Sequence, residues 1–290
     1  MKIQKPEHTT FFYGGTDEID EADIVLAGFS YDCTASFRAG TRFGPRDLRA
    51  YPGDGLETFS FYFGEDVEDV AYHDAGDMES VYGDPLPMID VYKAAVRELI
   101  NDDRRLIAIG GEHLVTYPFF LASQEVHGDF TMVHLDAHAD LAIINHVGSR
   151  TSHGTVMNLC LEAGLEKLVQ YGIRSGNRQE WEMRQNDPRI IPATSLEEFD
   201  DSLDDGEKIY LTIDVDFFDP AFVPGTGTPE AGGASFEDYV QILKILRRKN
   251  VSIIGADLVE LAPELDSSRN STVFVGKVLR ELLLTVDKLK

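Results

Sequence analysis

The chain has 290 residues, of which 51 are acidic and 26 are basic, so its formal net charge is −25 at pH 7. This balance argues against nucleic-acid binding, because phosphate recognition depends on clustered lysine and arginine side chains. No apolar run approaches the roughly 20 residues that a membrane-spanning helix needs, and the amino terminus lacks an apolar signal region. We therefore expect a cytoplasmic protein with neither a nucleic-acid nor a membrane partner.

Short apolar runs alternate with helical patterns along the whole chain. The patterns at Met88–Ile100 and Phe236–Arg248 predict amphipathic helices, and Ser235 with Asp238 approximates a capping box before the second. The apolar runs predict eight strands: Ile24–Gly28, Asp69–Tyr72, Leu106–Ile109, Thr131–Leu135, Lys167–Ile173, Ile190–Pro192, Ile209–Val215 and Ser252–Ala256. This alternation predicts a three-layer α/β/α fold, in which helices cover both faces of a central, mainly parallel sheet of about eight strands. Because no boundary is visible, we expect one domain over residues 1–290.

Side chains that can bind a metal follow three of the predicted strands. One strand stops at a glycine pair before His113, another ends in HLDAHAD (134–140), and a third ends in TIDVD (212–216). Alternate residues of an extended strand point to the same face, so we expect the acidic and histidine side chains of each segment to share a face. Six candidate ligands for one site result: His113, Asp136, His138, Asp140, Asp214 and Asp216.

The number and type of these ligands favour two metal ions over one. A catalytic zinc usually takes about three protein ligands and a water, so six candidates exceed the needs of one such ion. Oxygen-rich sites with a minority of imidazoles suit manganese, and a pair of ions can share a bridging carboxylate and deprotonate a water. Two dications would offset four aspartates, and a bound hydroxide would then leave the centre with a net negative charge, which favours a cationic substrate. The alternative for each residue alone is a helix cap or a satisfied polar group.

These segments carry a family resemblance. The chain resembles the ureohydrolases, the family of the arginases and agmatinases. The matching segments are SFRAGTRFGPRDLRA (36–50), GGEH (110–113), DAHAD (136–140), TSHGT (151–155), GIRSG (172–176), TIDVDFFDPAFVPGTGTPE (212–230) and DLVELAP (257–263). The resemblance implies an arginase-like fold, two Mn²⁺ per chain and hydrolysis of a guanidino compound to urea and an amine. It also suggests a homotrimer or homohexamer.

The resemblance also implies a role for each site residue. One manganese would be bound by His113, Asp136, Asp140 and Asp214, and the other by Asp136, His138, Asp214 and Asp216, so that Asp136 and Asp214 bridge. Asp140 would relay the proton of the attacking hydroxide, and His153 would shuttle protons or assist the leaving amine. Glu260 would receive the guanidinium.

The residues themselves say less about His153 and Glu260. His153 precedes a possible helix start, so a polar contact at that helix is the alternative to a catalytic role. Glu260 follows the apolar run Val251–Leu258, and a carboxylate at the carboxyl end of a strand lies where open α/β sheets bind ligands. A guanidinium can donate two parallel hydrogen bonds to it, although an exposed or capping glutamate remains the alternative. Glu112 and Glu230 are interpreted as structural groups beside the site.

The substrate prediction depends on two segments. The positions where arginases recognise an amino-acid head are poor in polar groups here, since Leu141–His146 follows Asp140 and Ser175 follows Arg174. The runs FRAGTRFGPRDLR and GIRSGNRQEWE look most like the agmatinase branch. We therefore expect a metal-bridging hydroxide to hydrolyse agmatine to putrescine and urea. Aminopropylagmatine, guanidinobutyrate and arginine remain alternative substrates, and a single-zinc deacetylase-like amidohydrolase is the alternative enzyme.

The composition also predicts adaptation to salt. Lysine is scarce, with 10 residues against 16 arginines, and the acidic residues are spread along the chain. Self-repulsion among so many carboxylates is costly unless salt screens it, so we expect a halophilic cytoplasm. Ordinary acidity is the alternative.

Overall fold

A parallel β-sheet of eight strands runs through the centre of the computed structural model, which describes residues 15–16, 18–50, 56–101 and 103–289. Its strands are β1 (Ile24–Phe29), β4 (Tyr72–Asp77), β5 (Arg105–Gly110), β6 (Thr131–Leu135), β7 (Lys167–Tyr171), β8 (Ile190–Ala193), β9 (Lys208–Asp214) and β10 (Ser252–Val259). The spatial order is β4-β1-β5-β10-β9-β6-β7-β8, and each neighbouring pair is parallel. A short antiparallel pair, β2 (Phe59–Ser60) and β3 (Glu65–Asp66), lies apart from this sheet.

Helices cover both faces of the sheet. They are α1 (Gly44–Ala50), α2 (Pro85–Leu99), α3 (Thr116–His127), α4 (Val156–Glu162), α5 (Arg178–Asn186), α6 (Leu196–Asp201), α7 (Phe236–Lys249) and α8 (Asn270–Lys288). Val25, Ala27 and Phe29 of β1 join a core with α2, α3 and α4, while Ile24 and Leu26 join the core formed by α1, α6, α7 and α8. The sheet therefore has a helical layer and a core on each face, which confirms the three-layer prediction. Strands buried on both faces also explain the continuous apolar runs in the sequence. No helix in the described ranges combines the length and apolar character that crossing a membrane requires.

The predicted capping box at the start of α7 is present. The Ser235 side chain accepts from the Asp238 amide at 3.2 Å, and the Asp238 carboxylate accepts from the Ser235 amide at 2.8 Å. These two bonds satisfy amides that the first helical turn leaves without partners. The helix ends at Lys249, because the next residue, Asn250, has a left-handed backbone (φ 49°) that cannot continue the helix.

The predicted strand at Asp69–Tyr72 is wrong. Residues 67–69 form a 3₁₀ turn, and β4 begins only at Tyr72. The sequence of β4, YHDAGD, is too polar to be recognised as a strand. Its carboxylates are accommodated because Asp74 and Asp77 pair with the buried guanidinium of Arg49. Burial would lower the pKa of Arg49, but the two aspartates raise it. An edge strand can carry such charges when a helix brings their partner to it.

Candidate metal centre and active site

The candidate ligands meet at the carboxyl edge of the four central strands. His113 follows β5, Asp136 follows β6, Asp214 ends β9 and Glu260 follows β10. These strands are neighbours in the order β5-β10-β9-β6, so their carboxyl ends bring the side chains together in the core. Five of the six predicted ligands are at most 7% exposed: His113, Asp136, Asp140, Asp214 and Asp216. Only the His138 side chain is partly open to solvent.

The expected shared strand face is wrong, although the convergence it predicted is present. β6 ends at Leu135, so the three ligands after it lie in a turn, where Asp140 adopts a left-handed backbone (φ 53°). In that turn the Asp136 carboxylate accepts from the His138 amide at 2.6 Å. Similarly, Asp214 accepts from the Asp216 amide at 2.8 Å, and Asp216 lies in a 3₁₀ turn. Aspartates that cap their own turns, rather than strand alternation, therefore aim these side chains.

The imidazole of His113 points one nitrogen at three carboxylates. Its Nδ1 lies 3.0 Å from Asp136 Oδ2, 3.2 Å from Asp140 Oδ2 and 3.3 Å from Asp214 Oδ2. None of these contacts has hydrogen-bond geometry, so Nδ1 is a buried polar atom without a hydrogen-bond partner among the described residues. Burial opposes a charge on His113, but the carboxylates raise its pKa well above the usual range. The space between these atoms therefore favours a positive charge.

The other nitrogen of His113 determines the tautomer of the neutral ring. His113 Nε2 lies 2.9 Å from Thr212 Oγ1, and that hydroxyl donates its one proton to Asp257 Oδ1 at 2.6 Å. The Thr212 oxygen must therefore accept from Nε2–H, which leaves a lone pair on Nδ1. A lone pair facing carboxylate oxygens is the donor arrangement of a metal ligand, so the residues present fit a divalent cation.

A second group of donors adjoins the first. His138 Nδ1 lies 2.9 Å from Asp216 Oδ2 and 3.7 Å from Asp136 Oδ1. Two sets of side chains can hold an ion among the described residues: His113, His134, Asp136 and Asp140 form one, and Asp136, His138 and Asp216 form the other. Asp136 belongs to both sets.

The electrostatics of this cluster also favour cations. Burial and the nearby carboxylates of Asp216 and Asp136 raise the pKa of Asp214 well above its usual range, and burial with Asp136 raises that of Asp216 to about 7. Burial acts on Asp136 in the same direction, but His134, His113 and His138 outweigh it and hold the pKa of Asp136 well below normal. Three buried carboxylates thus repel one another, and a bound dication would relieve that repulsion.

His153 and Glu260 lie together beside the cluster. His153 Nδ1 is 3.3 Å from Glu260 Oε1, and His153 Nε2 accepts from the Ser36 amide at 3.1 Å. Burial opposes protonation of His153, but Glu260 raises its pKa to about 9. Glu260 itself has a left-handed backbone (φ 68°). Its amide donates a hydrogen bond to the Gly111 carbonyl, and its carboxylate accepts one from the His113 amide. A strained non-glycine residue of this kind is typical of functional sites.

Glu112 supports the loop that covers His153. Its fully buried carboxylate accepts from the amide and the hydroxyl of Thr34, and burial raises its pKa to about 8. The Thr34 hydroxyl in turn accepts from the His153 amide at 3.1 Å. The Glu230 carbonyl accepts from Arg174 at 2.7 Å. The Thr34 contacts agree with a structural role for Glu112, whereas the Glu230 contact is made by its backbone and does not involve its carboxylate.

Sequence reasoning missed the polar residues that lie inside the apolar strands. His134 in β6, Gln170 in β7, Thr212 in β9 and Asp257 in β10 are all buried and hydrogen-bonded around the candidate ligands. The signal was available, because a polar side chain in a strand buried on both faces must find a partner. His134 even stands in the same alternation as Asp136 and His138.

A cavity of about 390 Å³ leads from the cluster to the surface. Its acidic lining residues are Asp140, Asp214 and Glu180, and its lining also includes His153. No lysine or arginine in the described part of the chain lines it. The apolar side chains of Ala142 and Ile144 complete one wall.

Comparison with known proteins places the chain among enzymes. The model of the arginase family matches residues 22–285. The agmatinase of Halalkalibacterium halodurans is 39% identical over 289 residues, covering 98% of this chain and 99% of that protein. The structure also matches the agmatine ureohydrolase of Thermoplasma volcanium (26% identity, TM-score 0.81, 94% of this chain and 93% of the other). It matches the proclavaminate amidino hydrolase of Streptomyces clavuligerus as well (25% identity, TM-score 0.83, 97% of each chain). With the metal-competent cluster at the strand ends, these findings mean that the chain belongs to the arginase family and is a hydrolase acting on the C–N bonds of linear amidines.

Proposed function

We propose that this protein is an agmatinase, which hydrolyses agmatine to putrescine and urea with two Mn²⁺ per chain. The observation that carries the proposal is the acidic cavity, whose lining combines three carboxylates with no lysine or arginine among the described residues. The relatives named agmatinase support it, because the similarity extends over nearly the whole chain. We further propose that the protein is a cytoplasmic homo-oligomer of three or six chains.

The cavity distinguishes agmatine from its analogues by charge. Agmatine carries a guanidinium at one end and an ammonium at the other, with four methylenes between them. Arginine and 4-guanidinobutyrate carry a tail carboxylate, which would enter a cavity that is lined by Glu180 and by no lysine or arginine among the described residues. Burying such an unpaired charge is costly, so the cavity favours a tail that is cationic. Ala142 and Ile144 offer apolar surface to the methylenes.

Two ions would be held by the six candidate ligands, with Asp136 and Asp214 between them. This donor set, four carboxylates and two imidazoles, is oxygen-rich and suits manganese. Bound there, the two ions would act as Lewis acids and lower the pKa of a water enough to supply a nucleophile near neutral pH. Asp140 lines the cavity beside His113 and is placed to take the proton that this nucleophile releases.

The chain's own residues orient the guanidinium and protonate the departing nitrogen. The Glu260 carboxylate can accept hydrogen bonds from a guanidinium in the cavity. Glu260 raises the pKa of His153 to about 9, and the protonated ring carries on Nδ1 a proton that faces Glu260. His153 is therefore placed to deliver a proton from Nδ1 to the amine that leaves, and its partly exposed side chain can recover one from solvent.

A substrate panel tests the proposal. Purified protein would be loaded with Mn²⁺ in high salt, and urea release would be measured with agmatine, arginine and 4-guanidinobutyrate in parallel with a chelated control. We expect metal-dependent urea release from agmatine and at least about tenfold lower kcat/KM for both carboxylates, since about 1.4 kcal/mol gives that ratio. A preference for arginine or 4-guanidinobutyrate would contradict agmatine as the substrate but would leave the enzyme class unchanged.

A further inference from the structure

Two buried histidines lie side by side in the metal centre, and the distances alone allow both to be ligands. The ring centroids of His113 and His134 are 5.1 Å apart, and both rings lie within reach of Asp136. His134 Nε2 is 2.7 Å from Asp136 Oδ2. Whether His134 can bind a metal depends on whether either of its nitrogens carries a free lone pair.

The orientation of Gln170 answers this question. Its Nε2 lies 2.8 Å from the Ala139 carbonyl, which can only accept, and its Oε1 lies 3.0 Å from Arg184 Nε, which can only donate. These two partners fix which end of the amide is nitrogen. The same Nε2 lies 3.0 Å from His134 Nδ1, so the amide donates its second proton to that nitrogen. His134 Nδ1 is therefore an acceptor, and its lone pair is occupied.

The remaining nitrogen of His134 must then carry the proton of the neutral ring. His134 Nε2 faces the Asp136 carboxylate, so it donates to Asp136 Oδ2. Both nitrogens of His134 are thus engaged, whereas His113 keeps an unshared lone pair on Nδ1. The hydrogen bonds run in one direction, from Arg184 through Gln170 and His134 to Asp136.

Arg184, the first donor in this series of hydrogen bonds, is unusually buried for an arginine. It is 9% exposed, and none of the described carboxylates forms an ion pair with it. Burial lowers its pKa, and its Nη2 has no hydrogen-bond partner among the described atoms. A buried guanidinium without an anion is costly, and the hydrogen bond from Arg184 Nε to Gln170 Oε1 offsets part of that cost.

We propose that His134 is a positioning residue and not a metal ligand: Arg184 and Gln170 fix its tautomer so that Nε2–H holds Asp136, the carboxylate shared by both groups of donors. The assignment concerns the metal centre on which the proposed function rests, but it does not depend on which substrate is hydrolysed. Outer partners of this kind typically change metal affinity by about 10- to 100-fold when they are removed.

The tautomer is measured directly by ¹⁵N NMR of the histidine rings in metal-free protein. We expect His134 to show a protonated Nε2 and an unprotonated, hydrogen-bonded Nδ1, with assignment by the loss of these signals in His134→Gln. Gln170→Glu places an oxygen where the amide donated, so we expect the His134 proton to move to Nδ1. A wild-type ring with its proton on Nδ1, or one that Gln170→Glu leaves unchanged, would overturn the proposal.

Metal binding separates positioning from ligation. His134→Gln keeps an N–H donor near Asp136, while His134→Leu removes it, and the unbound Mn²⁺ can be followed by its electron paramagnetic resonance signal. We expect His134→Leu and Gln170→Glu to lower Mn²⁺ affinity about 10- to 100-fold while reaching the wild-type stoichiometry at saturation, and His134→Gln to recover most of the affinity. A lower stoichiometry at saturation in His134→Leu would make His134 a ligand.

These outcomes are independent of the substrate. If the wild-type protein releases no urea from agmatine but the tautomer and the affinity series behave as expected, the proposed function fails and the positioning role stands. If agmatine is hydrolysed but His134→Leu loses an equivalent of metal, the positioning role fails alone. Circular dichroism of each variant shows whether it is folded, and the tautomer measurement on the wild-type protein needs no variant fold.

Discussion

His113 and His134 occupy similar surroundings but serve different chemistry. Both are fully buried at the carboxyl edge of the sheet, and both contact Asp136. On the side of each ring that faces away from the carboxylates, Thr212 accepts a hydrogen bond from His113 Nε2–H, whereas Gln170 donates one to His134 Nδ1. The partner of the far nitrogen therefore decides whether the near nitrogen offers a lone pair or a proton. Proximity to carboxylates alone does not identify a metal ligand.

The largest effect should come from removing a lone pair that faces the carboxylates. We expect His113→Ala to lower metal affinity by more than about 100-fold, beyond the range for outer partners, because three carboxylates lose their imidazole neighbour. Turnover should fall with metal content. Titration with Mn²⁺ and urea release measure both, and His134→Gln is the matched control. Full metal binding by His113→Ala would contradict the assignment of His113 as a metal ligand.

A third histidine, His153, sharpens the comparison. Its ring lines the cavity and contacts Glu260 and the Ser36 amide, but none of the candidate metal ligands. We expect His153→Ala to keep the metal content of the wild-type protein and to lower kcat by roughly 10²- to 10⁴-fold, the usual contribution of a general acid. Metal analysis and steady-state kinetics test this. Loss of metal in His153→Ala would mean that the site extends further than the structure indicates.

The far side of His113 can be changed without touching a ligand. Thr212→Val removes the hydroxyl that accepts from Nε2–H, so we expect about 10- to 100-fold weaker metal binding, and Thr212→Ser should restore it. Thr116→Val is the control, since the Thr116 hydroxyl donates to the same Asp257 carboxylate at 3.1 Å but forms no hydrogen bond with the His113 ring. Equal losses in Thr116→Val and Thr212→Val would assign the effect to Asp257 rather than to the tautomer.

We expect the smallest effect from a change of salt concentration, which acts on the charged surface and not on the buried metal centre. With a net charge of −25, the protein should unfold at a lower temperature in dilute buffer than in molar potassium chloride. Each kcal/mol of lost stability corresponds to roughly 2–4 °C in a chain of about this size. Thermal melts monitored by circular dichroism test this. An unchanged melting temperature would contradict the halophilic prediction, while the order of metal affinities among the variants should not depend on salt.

The sequence predicted the fold because apolar periodicity and buried strands are local signals. The strands at 131–135 and 190–193 and the helix after Ser235 lie within a residue or so of their predicted bounds. β4 was misplaced because its polar residues make sense only beside Arg49, which is distant in sequence. Partners of this kind arise from tertiary packing, which periodicity cannot show.

The candidate site shows the same division. The types and spacing of Asp136, His138 and Asp140 predicted their convergence, but their turn geometry depends on capping bonds that only the structure shows. His134 was missed because its role is decided by Gln170 and Arg184, residues on other elements. A sequence can indicate which groups meet, but the direction of a hydrogen bond requires coordinates.

The most direct test of the metal centre is a crystal structure of the manganese-loaded protein with anomalous scattering recorded at the manganese edge. We predict two anomalous peaks about 3.5–4 Å apart, with His113 Nδ1 bound to one ion. His134 Nε2 should remain on Asp136 and bind neither ion. A single peak, or a peak within bonding distance of His134, would contradict the account.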